Sequence, residues 1–332
     1  MKKRRLVHSP KGYLRQMQMS SSRVWIFVEG KTDLYSYSKL ADAVVVELGA
    51  HEDFLVASAE ELAPDGGGKT VLMRFFDFLK KESGLVSDFA GRRTRAVFFL
   101  DKDVDDLVGR RRVSPHLIYT EHYSMENYLF RHGSIADASS AALCVPVQRI
   151  RKAIPDARAW RISSADLWMD WIVICLYAAK YGKGEANFGS HSKVNVNAFG
   201  PVAPSRLKLI EQQCAVAHRV SGVDPTQAFD ECRQRVVRYY SAGRHDRVFN
   251  GKWYAYFLEA HLGSQLKGVK VQGLARHISS RLVQTLDFNG TWSKDLRRRL
   301  SPHLSLAAGY RPPMQRSSMD STVSAMARTH TL

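Results

Sequence analysis

The sequence predicts an α/β fold: a mainly parallel, Rossmann-like sheet of about four strands with helices on both faces, followed by a mostly helical region. Three observations predict it. Short apolar runs rich in β-branched and aromatic residues stop abruptly at an acidic residue or a glycine, as buried strands do where they enter turns. Those runs alternate with segments whose apolar residues recur at helical spacing, which implies right-handed crossovers between parallel strands. After about residue 135 the strand-like runs give way to helical periodicity.

Taken in order, residues 1–20 read as a basic arm, ending near the serine run 20–22. The apolar stretch 24–28 (Val-Trp-Ile-Phe-Val) is a first strand, closed by Glu29-Gly30. Residues 33–43 suit a helix, and Val44-Val45-Val46 reads as a second strand. The run Pro64-Asp65-Gly66-Gly67-Gly68 is a loop, and 71–81 is a helix with Leu72, Phe75, Phe76 and Leu79 on one face. Residues 96–100 form a third strand stopped by Asp101, and 117–119 a fourth. Further on, Ser163 with Asp166 three positions later resembles a capping box, opening a helix through Trp168, Trp171, Ile172 and Leu176 towards Tyr181. Pro225 opens another through Phe229, Val236, Val237 and Tyr240. Residues 301–332, with Pro312-Pro313 and many Ser, Thr and Met, read as weakly ordered. The expected division is an arm at 1–20, an α/β domain at 21–135, a helical basic region at 136–300 and a tail at 301–332.

The charge is uneven. The chain carries +17 overall. Up to residue 135 there are 21 Lys+Arg against 18 Asp+Glu, and from 136 onward 28 against 14, so the second half holds most of the excess. A polyanion such as nucleic acid is one partner for that surface, and a merely solvated basic face is the alternative. Arg233, Arg235, Arg238, Arg244 and Arg247 mix with Tyr239, Tyr240 and Trp253, a composition that suits phosphates and stacked bases. An amphipathic helix with its aromatics in the core has the same pattern, and that is the reading for Tyr240. Arg297-Arg298-Arg299 is either an electrostatic footprint or a solvated helix end.

Other classes are set aside. The four cysteines form no CxxC pair, which argues against a zinc knuckle and for reduced, mostly buried thiols. The basic N-terminus is followed by no apolar core of a signal peptide. The longest apolar run, 171–179, falls short of the roughly 20 residues of a membrane span. The expectation is a soluble, cytoplasmic protein. Gly66-Gly67-Gly68-Lys69-Thr70 invites a phosphate-loop reading, but position 63 is alanine and Pro64 follows where a strand should lead in.

The informative feature is acidic. Glu29 follows the first strand, with Asp33 one helical turn later; Asp101 and Asp103 follow the third; Glu126 lies just beyond the fourth. Open α/β sheets place ligand sites at the carboxyl ends of strands, so these carboxylates should converge. Gathered carboxylates repel unless a cation neutralises them, and magnesium suits a site of few carboxylates and several waters. An Asp at a strand end is by itself usually a turn residue or a helix cap, and Glu-Gly after a strand is common; the combination carries the signal. His122 is a further candidate for the site, or a structural histidine.

The motifs Val28-Glu29-Gly30-Lys31-Thr32-Asp33 and Phe99-Leu100-Asp101-Lys102-Asp103 together resemble the Toprim domain of topoisomerases, DnaG-type primases and OLD-family nucleases. Ser124-Met125-Glu126-Asn127-Tyr128-Leu129 is similar to the element after the fourth strand in OLD-like members. The resemblance covers about 21–135, and more loosely the whole chain, whose layout is similar to the stand-alone OLD-like Toprim effectors of bacterial anti-phage systems. It implies that Glu29 is a general acid/base or a metal ligand, that Asp101 and Asp103 ligate one or two Mg2+ (or Mn2+) ions, and, through less distinctive matches, that Asp33 and Glu126 assist. It implies a lysine from later in the chain near the scissile phosphate. Lys252, in Asn250-Gly251-Lys252-Trp253, is the candidate, since glycine permits close backbone approach and an ammonium stabilises phosphoryl charge; an exposed turn lysine is the other reading. The implied activity is endonucleolytic hydrolysis of RNA, tRNA included, or of DNA. OLD proteins carry an ATPase in the same chain; here it would be a separate subunit, and the active form is open to being a homodimer. A non-catalytic Toprim module, as in RecR-like proteins, is the competing expectation.

Overall fold

Five strands build one mixed sheet in the computed structural model, which describes residues 9–50, 53–63, 66–182, 199–219 and 222–307. They are β1 (Val24–Val28), β2 (Phe54–Ser58), β3 (Val86–Phe89), β4 (Arg92–Leu100) and β5 (Leu117–Tyr119). β1 lies between β2 and β4 and is parallel to both, with Phe27 opposite Ala57 on one side and Phe98 on the other. The far edge of β4 is shared: β3 pairs antiparallel with its first half and β5 parallel with its last three residues. β1, β4 and β5 therefore point the same way, and their carboxyl ends lie along one rim of the sheet.

The period-2 alternation of side chains sorts the two faces. Trp25, Phe27, Ala96, Phe98, Leu100, Leu117 and Tyr119 form one buried cluster with Tyr13, Leu14 and Met17 from helix Pro10–Met19 and with Leu72, Phe75, Phe76 and Leu79 from helix Lys69–Lys81. Val24, Ile26, Val28, Val97, Phe99 and Ile118 face helix Asp33–Leu48 and belong to a second cluster that runs on without a break through Trp168, Trp171 and Trp253 to Leu300. Helix Lys294–Ala307 returns to pack on Asp33–Leu48 and on the sheet. The core thus continues across the division expected at 135/136.

Several expectations are corrected. Residues 44–46 are not a strand; they complete helix Asp33–Leu48, where Val44 and Val45 are buried but Val46 is 75% exposed. The apolar stripe Tyr37, Leu40, Ala41, Val44, Val45 is helical, and tertiary burial overrides β-propensity there. The true second strand, Phe54–Ser58, is an edge strand half-buried over its first three residues. β3 also lies at an edge and was not expected; it joins β4 through Ala90-Gly91, both at positive φ (52° and 75°), a tight hairpin turn. Of the arm, Pro10–Met19 is a helix, capped by Ser9 and begun by proline. The helix expected from Ser163 is two helices, Ala157–Asp166, capped by Asp156, and Met169–Tyr181, bent by 53° at Leu167–Trp168. Ser163 is therefore interior to a helix. Residues 301–307 continue helix Lys294–Ala307, while 1–8 of the arm and 308–332 of the tail lie outside the described residues.

Other readings hold. The sheet is mainly parallel with helices on both faces, Gly66–Gly68 leads into helix Lys69–Lys81, and Pro225–Ser241 is a helix capped by Asp224. Among the described residues no single helix is long and apolar enough to cross a membrane. Cys175, Cys214 and Cys232 are buried free thiols and Cys144 is exposed.

Candidate acidic site

The rim of the sheet brings the acidic residues together through backbone hydrogen bonds. Glu29, just past β1, accepts on Oε1 from the amide of Asp101, just past β4, at 2.8 Å. Asp101 Oδ1 accepts from the amide of Met125, the first residue of helix Met125–His132, at 3.2 Å. Asp33 opens helix Asp33–Leu48 and accepts on Oδ2 from the Gly30 amide at 3.0 Å. Glu126 stands in the first turn of Met125–His132, whose start is fixed by a capping box between Ser124 and Asn127. Asp33 and Glu126 thus each lie at a helix N-terminus, where the helix dipole favours negative charge.

The electrostatics are those of crowded, desolvated carboxylates. Asp33, Asp101 and Glu126 are only 7%, 9% and 5% exposed. Burial raises Glu29 to about 7, against the pull of Lys69 and of the Asp101 amide. Burial, then the Glu126 carboxylate, raises Asp33 to about 7. Asp101 is pushed well above the usual carboxylate range by burial and by Glu29, Asp33 and Glu126 in turn. The countercharge is Lys252, whose ammonium is raised by Glu126 first, then by Asp101, Asp33 and Glu29. Lys252 remains solvent-accessible, at the first residue of helix Lys252–Gln265. Glu126 Oε2 is buried and accepts no hydrogen bond.

Asp103 belongs to a neighbouring group. Its backbone sits at φ 40°, in the left-handed region. Oδ1 accepts from the Asp105 amide at 2.7 Å, and Oδ2 from Lys69 Nζ at 2.9 Å. Lys69 also reaches Asp105 Oδ2 at 2.9 Å and the Asp101 carbonyl at 2.8 Å, so all three of its N–H donors are engaged. The glycine loop is pinned where this requires it: the Gly68 amide donates to the Glu29 carbonyl at 2.9 Å. The sequence reading missed Lys69. Its signal is Gly66-Gly67-Gly68-Lys69-Thr70, which as a plain glycine loop gives the lysine no role.

A buried scaffold delivers Lys252. A Cβ on Gly251 would lie 2.5 Å from the Asn127 amide nitrogen and 2.7 Å from its Oδ1, so only glycine lets this segment reach the start of helix Met125–His132. Asn127 Nδ2 donates to the Phe249 carbonyl at 3.0 Å. Asp246, fully buried, accepts from Arg131 at 3.2 Å, from the Tyr254 hydroxyl at 3.0 Å and from Arg161. His122 packs against Tyr128 at 4.5 Å; burial lowers it to about 4, against the pull of Asp246. It is part of this scaffold.

Among the described residues, no group of three or more His, Cys, Asp or Glu is set to hold a metal ion. The donor chemistry of the inner group fits a hard divalent cation all the same: four carboxylates, one ammonium, and a buried oxygen without a partner.

Four of the five candidate arginines share one concavity. Arg235, Arg238, Arg244 and Arg247 line a cleft of about 370 Å³ together with Tyr239. Arg233 is not among them; it pairs with Asp170 at 2.9 Å. Tyr240 turns inward and donates to the Ala165 carbonyl at 2.9 Å, and Trp253 is buried. Arg297 and Arg299 bind Glu47 and the Tyr119 carbonyl, so they serve the fold. No family model matches the chain, and no curated protein matches it.

Proposed function

We propose that this chain is a metal-dependent endonuclease of the OLD-like Toprim kind, hydrolysing a nucleic-acid phosphodiester at the acidic rim. The observation that carries the reading is the convergence of Glu29, Asp33, Asp101 and Glu126 at the carboxyl ends of β1 and β4, with Lys252 as the ammonium among them. These four would hold one or two Mg2+ or Mn2+ ions, with Asp103 joining them when Lys69 releases it. Such an ion supplies an activated water and stabilises charge on the phosphate. Glu29, raised to about 7, is poised to take a proton near neutral pH. Lys252 keeps its proton and would face the negative charge of the scissile phosphate.

The resemblance extends the proposal to a biological setting: a cytoplasmic effector of anti-phage defence, similar to AriB of the PARIS system, restrained by a separate ABC/OLD-like ATPase subunit of the AriA type and cutting RNA, tRNA included. One observation favours a second reading, a Toprim module that binds nucleic acid without cutting it: Lys69 and Lys252 already act as internal countercharges.

Incubating the purified chain with labelled tRNA, single-stranded DNA and duplex DNA, with Mn2+ or with EDTA, separates the readings. Cleavage that needs the metal and falls at least about 100-fold in Glu29→Gln is expected. Binding without cleavage under every condition would favour the second reading.

A further inference from the structure

We infer that the arginine cleft holds one unpaired nucleotide, so that the substrate approaches the acidic rim as a single strand. The inference rests on the nucleic-acid part of the proposed function, not on its metal chemistry.

The first argument is charge. Arg235, Arg238 and Arg244 form no ion pair with a described residue, and Arg247 pairs with Glu121 at 2.5 Å. Four guanidiniums around one concavity with a single carboxylate partner repel each other, and the concave shape focuses their field on whatever enters. An anion is the complement of that field, and phosphodiesters pair with guanidinium forks in particular.

The second is the ring. Tyr239 is half-buried, lines the same cleft, and carries the Arg244 guanidinium over its face at 5.8 Å. An aromatic face and a guanidinium plane beside phosphate-binding arginines make a platform on which an unstacked base fits.

The third is size. A volume of about 370 Å³ is at the low end of small-ligand pockets, room for one nucleotide. A base inside a duplex reaches such a hollow only by leaving its stack and its partner.

The fourth is connection. Arg247 holds Glu121, the Tyr123 amide donates to the Asp246 carbonyl at 2.8 Å, and the Asp103 amide donates to the Tyr123 carbonyl at 2.9 Å. One short loop, 121–123, therefore links the cleft residue Arg247 to Asp103 beside the acidic rim.

The test is fluorescence anisotropy of the full chain with one fluorescein-labelled sequence as single-stranded RNA, single-stranded DNA and duplex DNA, all in EDTA. Either single strand should bind at least about tenfold tighter than the duplex. Tyr239→Ala should weaken single-strand binding about tenfold and leave its salt dependence unchanged, while Tyr239→Phe, which keeps the ring, retains affinity. Arg235→Gln/Arg238→Gln should reduce the slope of log K against log salt by about 1.4. Equal or tighter duplex binding overturns the inference, as does wild-type affinity in a folded Tyr239→Ala. If that variant does not fold, the wild-type strand preference decides. Because no metal is present, lost cleavage with the strand preference intact defeats only the nuclease reading. Cleavage without a strand preference defeats only this inference.

Discussion

The ammonium of Lys69 lies 2.9 Å from Oδ2 of Asp103. The second aspartate of Asp101-Lys102-Asp103 is thereby neutralised from within the chain, while the first faces Glu29. In Lys69→Met, Asp103 and Asp105 lose their cation, and a divalent ion is the natural replacement. Mn2+ affinity, followed by titration calorimetry at neutral pH, should tighten about tenfold or more. Unchanged affinity would mean that Asp103 is a structural residue.

Glu29 makes stability depend on pH in a stated direction. Its folded value of about 7 exceeds its ordinary 4.5. A raised carboxyl contributes stability that is fully present below the unfolded value and lost as pH rises through the folded one. The histidines His122, His132, His245 and His303, all lowered, act in the opposite sense as pH falls. Comparison of wild type with Glu29→Gln cancels them. In EDTA the variant should gain on wild type by about 1–2 kcal/mol between pH 4.5 and 8, less than full linkage because Glu29 is partly solvated. Urea melts read this difference, and a variant that loses ground over the same range would contradict the buried-carboxylate picture.

Gly251→Ala forces a methyl onto the start of helix Met125–His132. The expected cost is about 1–3 kcal/mol, with Lys252 displaced and turnover reduced more than substrate binding. A variant as stable and as active as wild type would show that the segment moves aside freely.

Asp246→Ala removes the shared acceptor of Arg131, Arg161 and Tyr254. Arg161 is then buried with no carboxylate, at a cost of about 3–5 kcal/mol by denaturant unfolding. A loss below about 1 kcal/mol would mean that the scaffold does not depend on this carboxylate.

What the sequence disclosed follows a physical line. β1 and β4 are central and wholly apolar at their carboxyl ends, so both strands and the acids that stop them were legible. Phe54–Ser58 carries a legible apolar run, Phe-Leu-Val-Ala, that the reading of Val44-Val45-Val46 as the second strand leaves unassigned, whereas Val86–Phe89 lies at an edge, half-exposed, and carries too little apolar pattern to be read. Glu29, Asp33, Asp101, Glu126 and Lys252 act on one another electrostatically, as the positions of the acids at strand ends led one to expect, whereas the pairing of Asp103 with Lys69 is a contact that no motif encodes. Lys69 was hidden because its partners lie 32 and 34 positions away, across the sheet. Four of the five arginines meet in one cleft because helix Pro225–Ser241 and the turn after it curl round the same hollow; Arg233 points to another side of that helix and finds Asp170.

Glu29 and Lys252 belong to one site although 223 positions separate them (252 − 29). During synthesis the sheet and its acids leave the ribosome first, and Lys252 follows about 10–45 s later at ordinary elongation rates. Until then Asp33, Asp101 and Glu126 lack their ammonium, and Asn127 and Arg131 lack Asp246. A nascent chain therefore carries the carboxylates without the group that balances them until translation has passed the helix that starts at Lys252.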